Sequence, residues 1–72
     1  MKFFDIVLWD TTQQQSDAIL AVMWRVAYFV SWDESNGYMT YTFGQQYSNY
    51  GKSDIENLLS INGIRFLSVN FN

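Results

Sequence analysis

Residues 29–43 read Phe-Val-Ser-Trp-Asp-Glu-Ser-Asn-Gly-Tyr-Met-Thr-Tyr-Thr-Phe and predict a β-hairpin that turns at Asn36-Gly37. Asn-Gly is the preferred pair of a two-residue type I′ turn, because both central residues need a positive φ. With these two residues as the loop, the first facing pair is Ser35 with Tyr38, and the last is Val30 with Phe43. One face then carries the apolar side chains Val30, Trp32, Met39, Tyr41 and Phe43, with Glu34 near the turn; the other carries Ser31, Asp33, Ser35, Tyr38, Thr40 and Thr42. This alternation continues through the turn, so it predicts both the register and the face that enters the core.

The first segment, residues 2–9, is almost continuously apolar and rich in β-forming residues, as is typical of a strand in the middle of a sheet. Asp5 is the exception, and we expect it to point to the less buried side. The core side would then receive Phe4, Ile6 and Leu8, and the opposite side Phe3, Val7 and Trp9 together with Asp5.

A helix is predicted to follow. Thr12 and Gln15 have the spacing of a capping box, and Asp10 and Asp17 are placed where the helix dipole favours negative charge. One apolar stripe is predicted to face the sheet, and it consists of Ile19, Val22, Met23 and Val26. A second stripe, Leu20, Trp24 and Tyr28, lies beside it. We expect the helix to end between Arg25 and Ala27, with almost no linker before the hairpin.

Residues 44–52 are polar and turn-rich and predict a loop that exposes Tyr47 and Tyr50. Ser53 and Glu56 then form a capping box at the start of a second helix, whose apolar face consists of Ile55, Leu58 and Leu59. Asn62-Gly63 predicts the end of this helix, with Gly63 in the left-handed conformation and Ile64 making the apolar contact of a Schellman motif.

The last segment, residues 64–71, again alternates and predicts a strand. Its apolar side would carry Leu67, Val69 and Phe71, and its mixed side Phe66, Ser68 and Asn70. The order β-α-β-β-α-β over residues 1–72 predicts a single ferredoxin-like α+β domain with strand order 4-1-3-2 and both helices on one face of an antiparallel sheet. The pattern leaves open whether the other face is exposed to solvent or covered.

The amino-acid composition disfavours several classes of function. The 72 residues include no cysteine, histidine or proline, which removes the thiol nucleophile, the usual metal ligands and the side chain best suited to proton transfer near neutral pH. The net charge of −3 disfavours non-specific binding to nucleic acid. Aromatic residues make up 19% of the chain, a surplus that a small core does not bury and that favours a partner surface. No apolar run is long enough to span a membrane and no secretory signal is evident, so we expect a cytoplasmic protein.

Two motifs suggest a phosphate-binding site and a metal site, but each has a simpler structural interpretation. Gly51-Lys52-Ser53 resembles the end of a phosphate-binding loop, but Gly44 is two residues too far away for that motif, so a capped helix or weak anion binding is favoured. Residues 7–10, Val-Leu-Trp-Asp, resemble the first strand of small ferredoxin-like CRISPR adaptation nucleases, which implies a Mg²⁺ site at Asp10. Glutamines at residues 13–15 replace the arginines that the resemblance implies. The interaction of a carboxylate with the helix dipole explains an acid at residue 10 without a metal site.

The sequence therefore predicts a non-enzymatic protein that needs no cofactor and binds another protein as a regulator or inhibitor, as small proteins of phages and mobile elements do. A homodimer is also expected. The candidate contact residues are Trp24, Tyr28, Asp33, Tyr38, Tyr47 and Tyr50. The alternative is a nucleic-acid-binding module that stacks bases on aromatic residues of the open sheet face, namely Phe3, Trp9, Tyr38 and Phe66.

Overall fold

The computed structural model describes residues 2–9, 12–46 and 49–72, so Asp10 and Tyr47 lie outside the described part of the chain. The elements are β1 (Lys2–Trp9), α1 (Gln13–Met23), β2 (Tyr28–Ser35), β3 (Tyr38–Gln45), α2 (Lys52–Ile61) and β4 (Ser68–Phe71). The strands form one antiparallel sheet in the order β2-β3-β1-β4, which confirms the predicted ferredoxin-like α+β fold. Neither described helix has the length and apolar character needed to cross a membrane.

The core lies between the sheet and the helices, and β1 lies at its centre. Phe4, Ile6 and Leu8 are at most 2% exposed, as predicted, and the Phe4 ring stacks on that of Phe71 with ring centres 5.1 Å apart. The remaining buried apolar side chains are Met39, Tyr41 and Phe43 of β3, Ile19 and Met23 of α1, Ile55 and Leu59 of α2, Ile64, and Val69 of β4. Both central strands therefore contribute three buried apolar side chains each.

The hairpin turn and most of its register are confirmed. Asn36 has φ 53° and Gly37 has φ 81°, as a type I′ turn requires, and the predicted pairs hold from Ser35 as far as Ser31. The predicted pairing of Val30 with Phe43 is wrong, because the register shifts between Phe29 and Ser31 and Phe29 faces Phe43 instead. Val30 occupies this β-bulge and is 45% exposed, so it is not a core residue.

The start of α1 is confirmed and its end is earlier than predicted. The backbone N–H of Gln15 donates to the Thr12 hydroxyl at 3.3 Å, as an N-cap does. The helix ends at Met23, whose carbonyl accepts hydrogen bonds from the N–H groups of Val26 and Ala27 in a tight turn. Tyr28 therefore begins β2, and the predicted helical stripe of Leu20, Trp24 and Tyr28 is wrong.

The cap of α2 differs from the prediction at one end only. The helix begins at Lys52, and the N–H of Gly51 donates to Asp54 Oδ2 at 2.9 Å, so the Ser53–Glu56 box is wrong by two residues. At the other end, Gly63 has φ 73°, its N–H donates to the Ser60 carbonyl, and the Ile64 N–H donates to the Leu59 carbonyl. These two bonds, each 3.0 Å long, confirm the Schellman motif.

Two strand ends also differ. β3 extends to Gln45, so the loop predicted for residues 44–52 begins later than expected. β4 begins only at Ser68, and the alternation predicted for the two residues before it fails. Phe66, predicted on the open face, is half-buried and packs against the core, whereas Leu67, predicted in the core, is 44% exposed.

Candidate functional site

Strand β2 carries four of the exposed large apolar side chains, namely Tyr28, Phe29, Val30 and Trp32. All eight of its residues are exposed, although strands of this fold usually bury one face. The pairing of Phe29 with Phe43 and of Trp32 with Tyr41 places both aromatic residues on the helix-covered side of the sheet. Phe29 is nevertheless 44% exposed and Trp32 59% exposed. The helix layer therefore leaves the helix side of β2 uncovered.

A groove results between α1 and β2, and its walls are Leu20 of the helix, Trp24 in the turn that follows it, and Phe29 and Trp32 on the strand. We call this surface the α1–β2 groove. Its floor is β3, with Met39, Tyr41 and Phe43. The position of the helix wall is fixed by a hydrogen bond between the hydroxyls of Ser16 and Tyr41.

The groove walls present aromatic surface to solvent. Trp24 is 68% exposed and Leu20 38% exposed. The Phe29 ring meets the Phe43 ring edge-on, with centres 5.8 Å apart, so one side of Phe29 packs on the core. Such a surface is suited to contact with apolar groups of another macromolecule, because the side chains are held by the fold and lose little freedom on binding.

Charges of opposite sign lie at the two ends of β2. Before the strand begins, the guanidinium of Arg25 lies 4.9 Å from the centre of the Trp24 ring, a cation–π contact. At the other end Asp33 and Glu34 precede the turn, with Glu34 on the groove side and Asp33 on the open face. The groove is thus mainly apolar between a positive and a negative end, with Gln13 and Ser16 as polar residues of its lining.

The open face of the sheet is more polar. The rings of Trp9 and Tyr38 stack on each other with centres 4.5 Å apart and 25° between their planes. The Thr42 hydroxyl donates to Asp5 Oδ1 at 2.6 Å, so a carboxylate lies in the middle of this face. Asp33 adds a second carboxylate, since its partner Thr40 is on the same side. An incoming base would meet an aromatic pair that is already stacked, beside two acids.

Gln45 is a structural residue that sequence reasoning missed. Its side chain is 2% exposed, its Nε2 donates to the Tyr50 carbonyl at 3.1 Å, and its Oε1 accepts from the Tyr50 N–H at 3.0 Å. The paired amide fixes the backbone of the loop and leaves Tyr50 41% exposed. No pattern distinguished Gln45 from Gln46, because both were assigned to the loop.

The predicted contact residues do not form one site. Asp33 and Tyr38 lie on the open face near the turn. Trp24 and Tyr28 lie at the opposite end of β2, where the Tyr28 ring packs over Gly44 so closely that a Cβ there would be 2.6 Å from Tyr28 Cζ. Tyr50 is fixed through Gln45, and Tyr47 is outside the described residues. Of the four groove-wall residues, Trp24 was among the predicted contacts, and Tyr28, another predicted contact, lines the same end of the groove.

The structure offers little for the chemical alternatives within the residues it describes. Among them, no three His, Cys, Asp or Glu side chains come together as a metal site. At the start of α2, the Asp54 carboxylate accepts from the Gly51 N–H, which is a group that a bound anion would use.

Comparison with known proteins adds no functional assignment. No protein-family model matches the chain, and no curated protein matches it in sequence. The surface of the molecule is therefore the basis for a functional proposal.

Proposed function

We propose that this protein is a non-enzymatic module that binds another protein through the α1–β2 groove and thereby regulates or inhibits it. The observation that supports the proposal is the exposure of four large apolar side chains along one groove, with Trp24 at 68% and Trp32 at 59%. Contiguous apolar surface of this kind, with charged groups at its ends, is typical of protein interaction sites.

Trp24 is the expected hot spot. It is the most exposed of the three tryptophans in the chain, since Trp9 and Trp32 are each 59% exposed. Its ring is already held by Arg25, so a partner that covers it also desolvates a cation–π pair. Tryptophan and arginine are the residue types most enriched among interface hot spots.

Size and composition support a regulator rather than an enzyme. The chain has no histidine or cysteine, and its net charge is −3. Its small size and acidity are similar to those of proteins that phages and mobile elements use to block host machinery, and the proposal places it in that functional class by analogy. A cytoplasmic location follows from that proposal.

The test is to capture binding partners from the native cell, purify the principal one, and measure its dissociation constant with variants of this chain. Trp24→Ser should weaken binding roughly 30-fold or more, because hot-spot truncations cost about 2 kcal/mol or more. The Trp24 side chain is exposed, so folding should be retained, and the thermal unfolding midpoint serves as the check.

Tyr38→Ser is the matched control on the open face. It should leave the affinity for the partner unchanged within about threefold, since interface-distant surface changes have small effects. Weaker binding by Tyr38→Ser together with normal binding by Trp24→Ser would move the contact to the open face and overturn the groove as the site.

Binding of single-stranded nucleic acid is the second candidate, and the Trp9–Tyr38 stack on the open face is the observation that favours it. Fluorescence titration with labelled single-stranded RNA and DNA at two salt concentrations distinguishes the two functions. The protein-binding proposal expects no association. Salt-sensitive binding that is lost in Trp9→Ala would favour the nucleic-acid function instead.

A further inference from the structure

We infer that the free edge of β2 binds the same edge of a second copy, in antiparallel orientation, with Trp32 next to the two-fold axis. The two sheets would then form one continuous eight-stranded sheet. This self-association goes beyond the proposed function and does not depend on it, because its bonds are made by the backbone edge of β2, although Trp32 belongs both to this edge and to the groove wall.

The edge of β2 is long and carries few of the features that prevent pairing. In the sheet order β2-β3-β1-β4, β2 is terminal, and no described strand lies on its outer side. It has eight residues, against four in the other edge strand, β4. Its sequence contains no proline, lysine or arginine, which are the residues that most often protect edges. Protection comes only from the bulge at Val30 and from two acids.

The hairpin geometry determines which backbone groups face outward. Ser35 and Tyr38 flank a two-residue turn, and the residues that flank such a turn form a hydrogen-bonded pair. The antiparallel ladder alternates, so the N–H and C=O groups of Ser31, Asp33 and Ser35 point to β3. Those of Trp32 and Glu34 therefore point to the free edge.

The carboxylates of β2 decide the register between the two β2 strands of the dimer. An axis at Asp33 would place two carboxylates opposite each other in a close, non-hydrogen-bonded pair, and like charges in that position are destabilising. An axis at Trp32 pairs the outward N–H and C=O of Trp32 with those of its copy and places Asp33 opposite Ser31, a hydroxyl donor. The two indole rings would then be cross-strand neighbours on the groove side.

The ends of the strand are also complementary to each other. Arg25 precedes β2, and Asp33 and Glu34 lie near its end. In an antiparallel pair the start of each strand lies toward the end of the other, so the positive Arg25 end of one copy is directed toward the acidic end of the other on both sides of the axis. A parallel arrangement would bring like charges together, so the charge pattern favours a second copy in the antiparallel orientation.

The first experiment is sedimentation equilibrium of the purified chain from about 1 µM to about 1 mM, a range that detects weak association. Wild type should show a concentration-dependent shift from 8.5 kDa to twice that mass. Trp32→Pro and Trp32→Thr both remove the indole, but only the proline variant also lacks the outward N–H, so its dimer dissociation constant should be at least about tenfold higher than that of Trp32→Thr. The circular dichroism spectrum of each variant reports folding.

The second experiment uses the absence of native cysteine. Trp32→Cys places one thiol at the axis, where paired Cα atoms about 5.5 Å apart are within reach of a disulfide. Mild oxidation should cross-link most of this variant as a covalent dimer. The matched control Glu34→Cys, two residues from the axis on the same side, should remain mostly uncross-linked.

A wild-type chain that stays monomeric over the whole concentration range would overturn the inference, as would equal association of Trp32→Pro and Trp32→Thr. Equal cross-linking of the two cysteine variants would overturn the register. A monomer that forms a 1:1 complex with a captured protein and loses it in Trp32→Pro but not in Trp32→Thr would assign the edge to a strand of that partner. Such a result would refute the dimer while retaining the proposed protein-binding function.

Discussion

The two strands of the hairpin share one turn and one ladder, yet only one of them is buried. Trp32 of β2 and Tyr41 of β3 face each other on the same side of the sheet, but Trp32 is 59% exposed and Tyr41 is 3% exposed. The next aromatic pair repeats the difference, since Phe29 is 44% exposed and Phe43 is 1% exposed. Alternation therefore decides which side a residue faces, whereas the position of the strand in the sheet decides whether that side is covered.

The helix layer explains this difference. β3 lies between β2 and β1, and a hydrogen bond between the hydroxyls of Ser16 and Tyr41 holds α1 above it. α1 has only 11 residues and buries Ile19 and Met23 in the core. α2 packs against β4, which is the edge strand opposite β2. Two short helices cover β3, β1 and β4, and β2 extends beyond them.

The largest expected effect is on the paired phenylalanines. Phe43→Ala should lower the free energy of unfolding by about 3–5 kcal/mol, because it removes a fully buried ring that contacts Phe4 and Phe29. Phe29→Ala should cost about 1 kcal/mol, since the ring is only partly covered. Urea denaturation measures both. If Phe43→Ala fails to fold, Phe43→Leu and Phe29→Leu provide the same comparison. Equal losses of unfolding free energy at the two positions would show that a partner or a rearrangement buries β2.

A smaller effect is expected where a polar side chain of β3 is buried. Gln45→Ala should cost roughly 2 kcal/mol, because it leaves the N–H and C=O of Tyr50 without the amide that pairs with them. Gln46→Ala, at the exposed neighbour, should change stability by less than about 0.5 kcal/mol. The measurement is again urea denaturation, and a neutral Gln45→Ala would mean that water replaces the amide.

A destabilising substitution in the turn should lower the local stability of β2 more than that of β1. β2 has no buried residue, so the ladder to β3 and the turn hold it in place. Gly37→Ala forces a Cβ into the left-handed region at a cost of about 1–2 kcal/mol, although the space around that Cβ is empty. Amide exchange at Ser31 and Asp33 should accelerate roughly 5- to 30-fold.

Asn36→Gly is the control for the turn, since glycine also accepts the positive φ of that position. It should leave the exchange rates of the β2 amides within a factor of about two. Uniform acceleration over β1 and β2 in Gly37→Ala would show that the hairpin opens only when the whole domain unfolds.

Local chemistry made most of the fold predictable. Asn36-Gly37 determined the turn, Gly63 with Ile64 determined the end of α2, and the apolar run of β1 determined its central position. The errors occurred where two patterns competed. Tyr28 is in helical phase with Leu20 and Trp24, but the chain leaves the helix at Met23, and only tertiary packing decides between the two.

The candidate site was less predictable than the fold. The groove depends on where α1 ends relative to β2, which is a property of packing and not of any residue pattern. Trp32 and Val30 were assigned to the core because they alternate correctly with Tyr41 and Phe43, and the sequence carries no signal that this side of β2 is uncovered or that a bulge intervenes.

The smallest expected effect is at Val30, and it tests the wrong assignment of this residue to the core. The comparison uses a matched pair of valines, Val30 and Val69. Val30→Thr, in the bulge and 45% exposed, should change the free energy of unfolding by less than about 0.5 kcal/mol. Val69→Thr, fully buried in β4 opposite Ile6, should cost roughly 1–3 kcal/mol, because the same hydroxyl enters an apolar site without a hydrogen-bond partner. Because valine and threonine have nearly the same shape, the difference reports burial alone. A loss for Val30→Thr as large as that for Val69→Thr would place Val30 in the core, as strict alternation predicts, and would contradict the bulge.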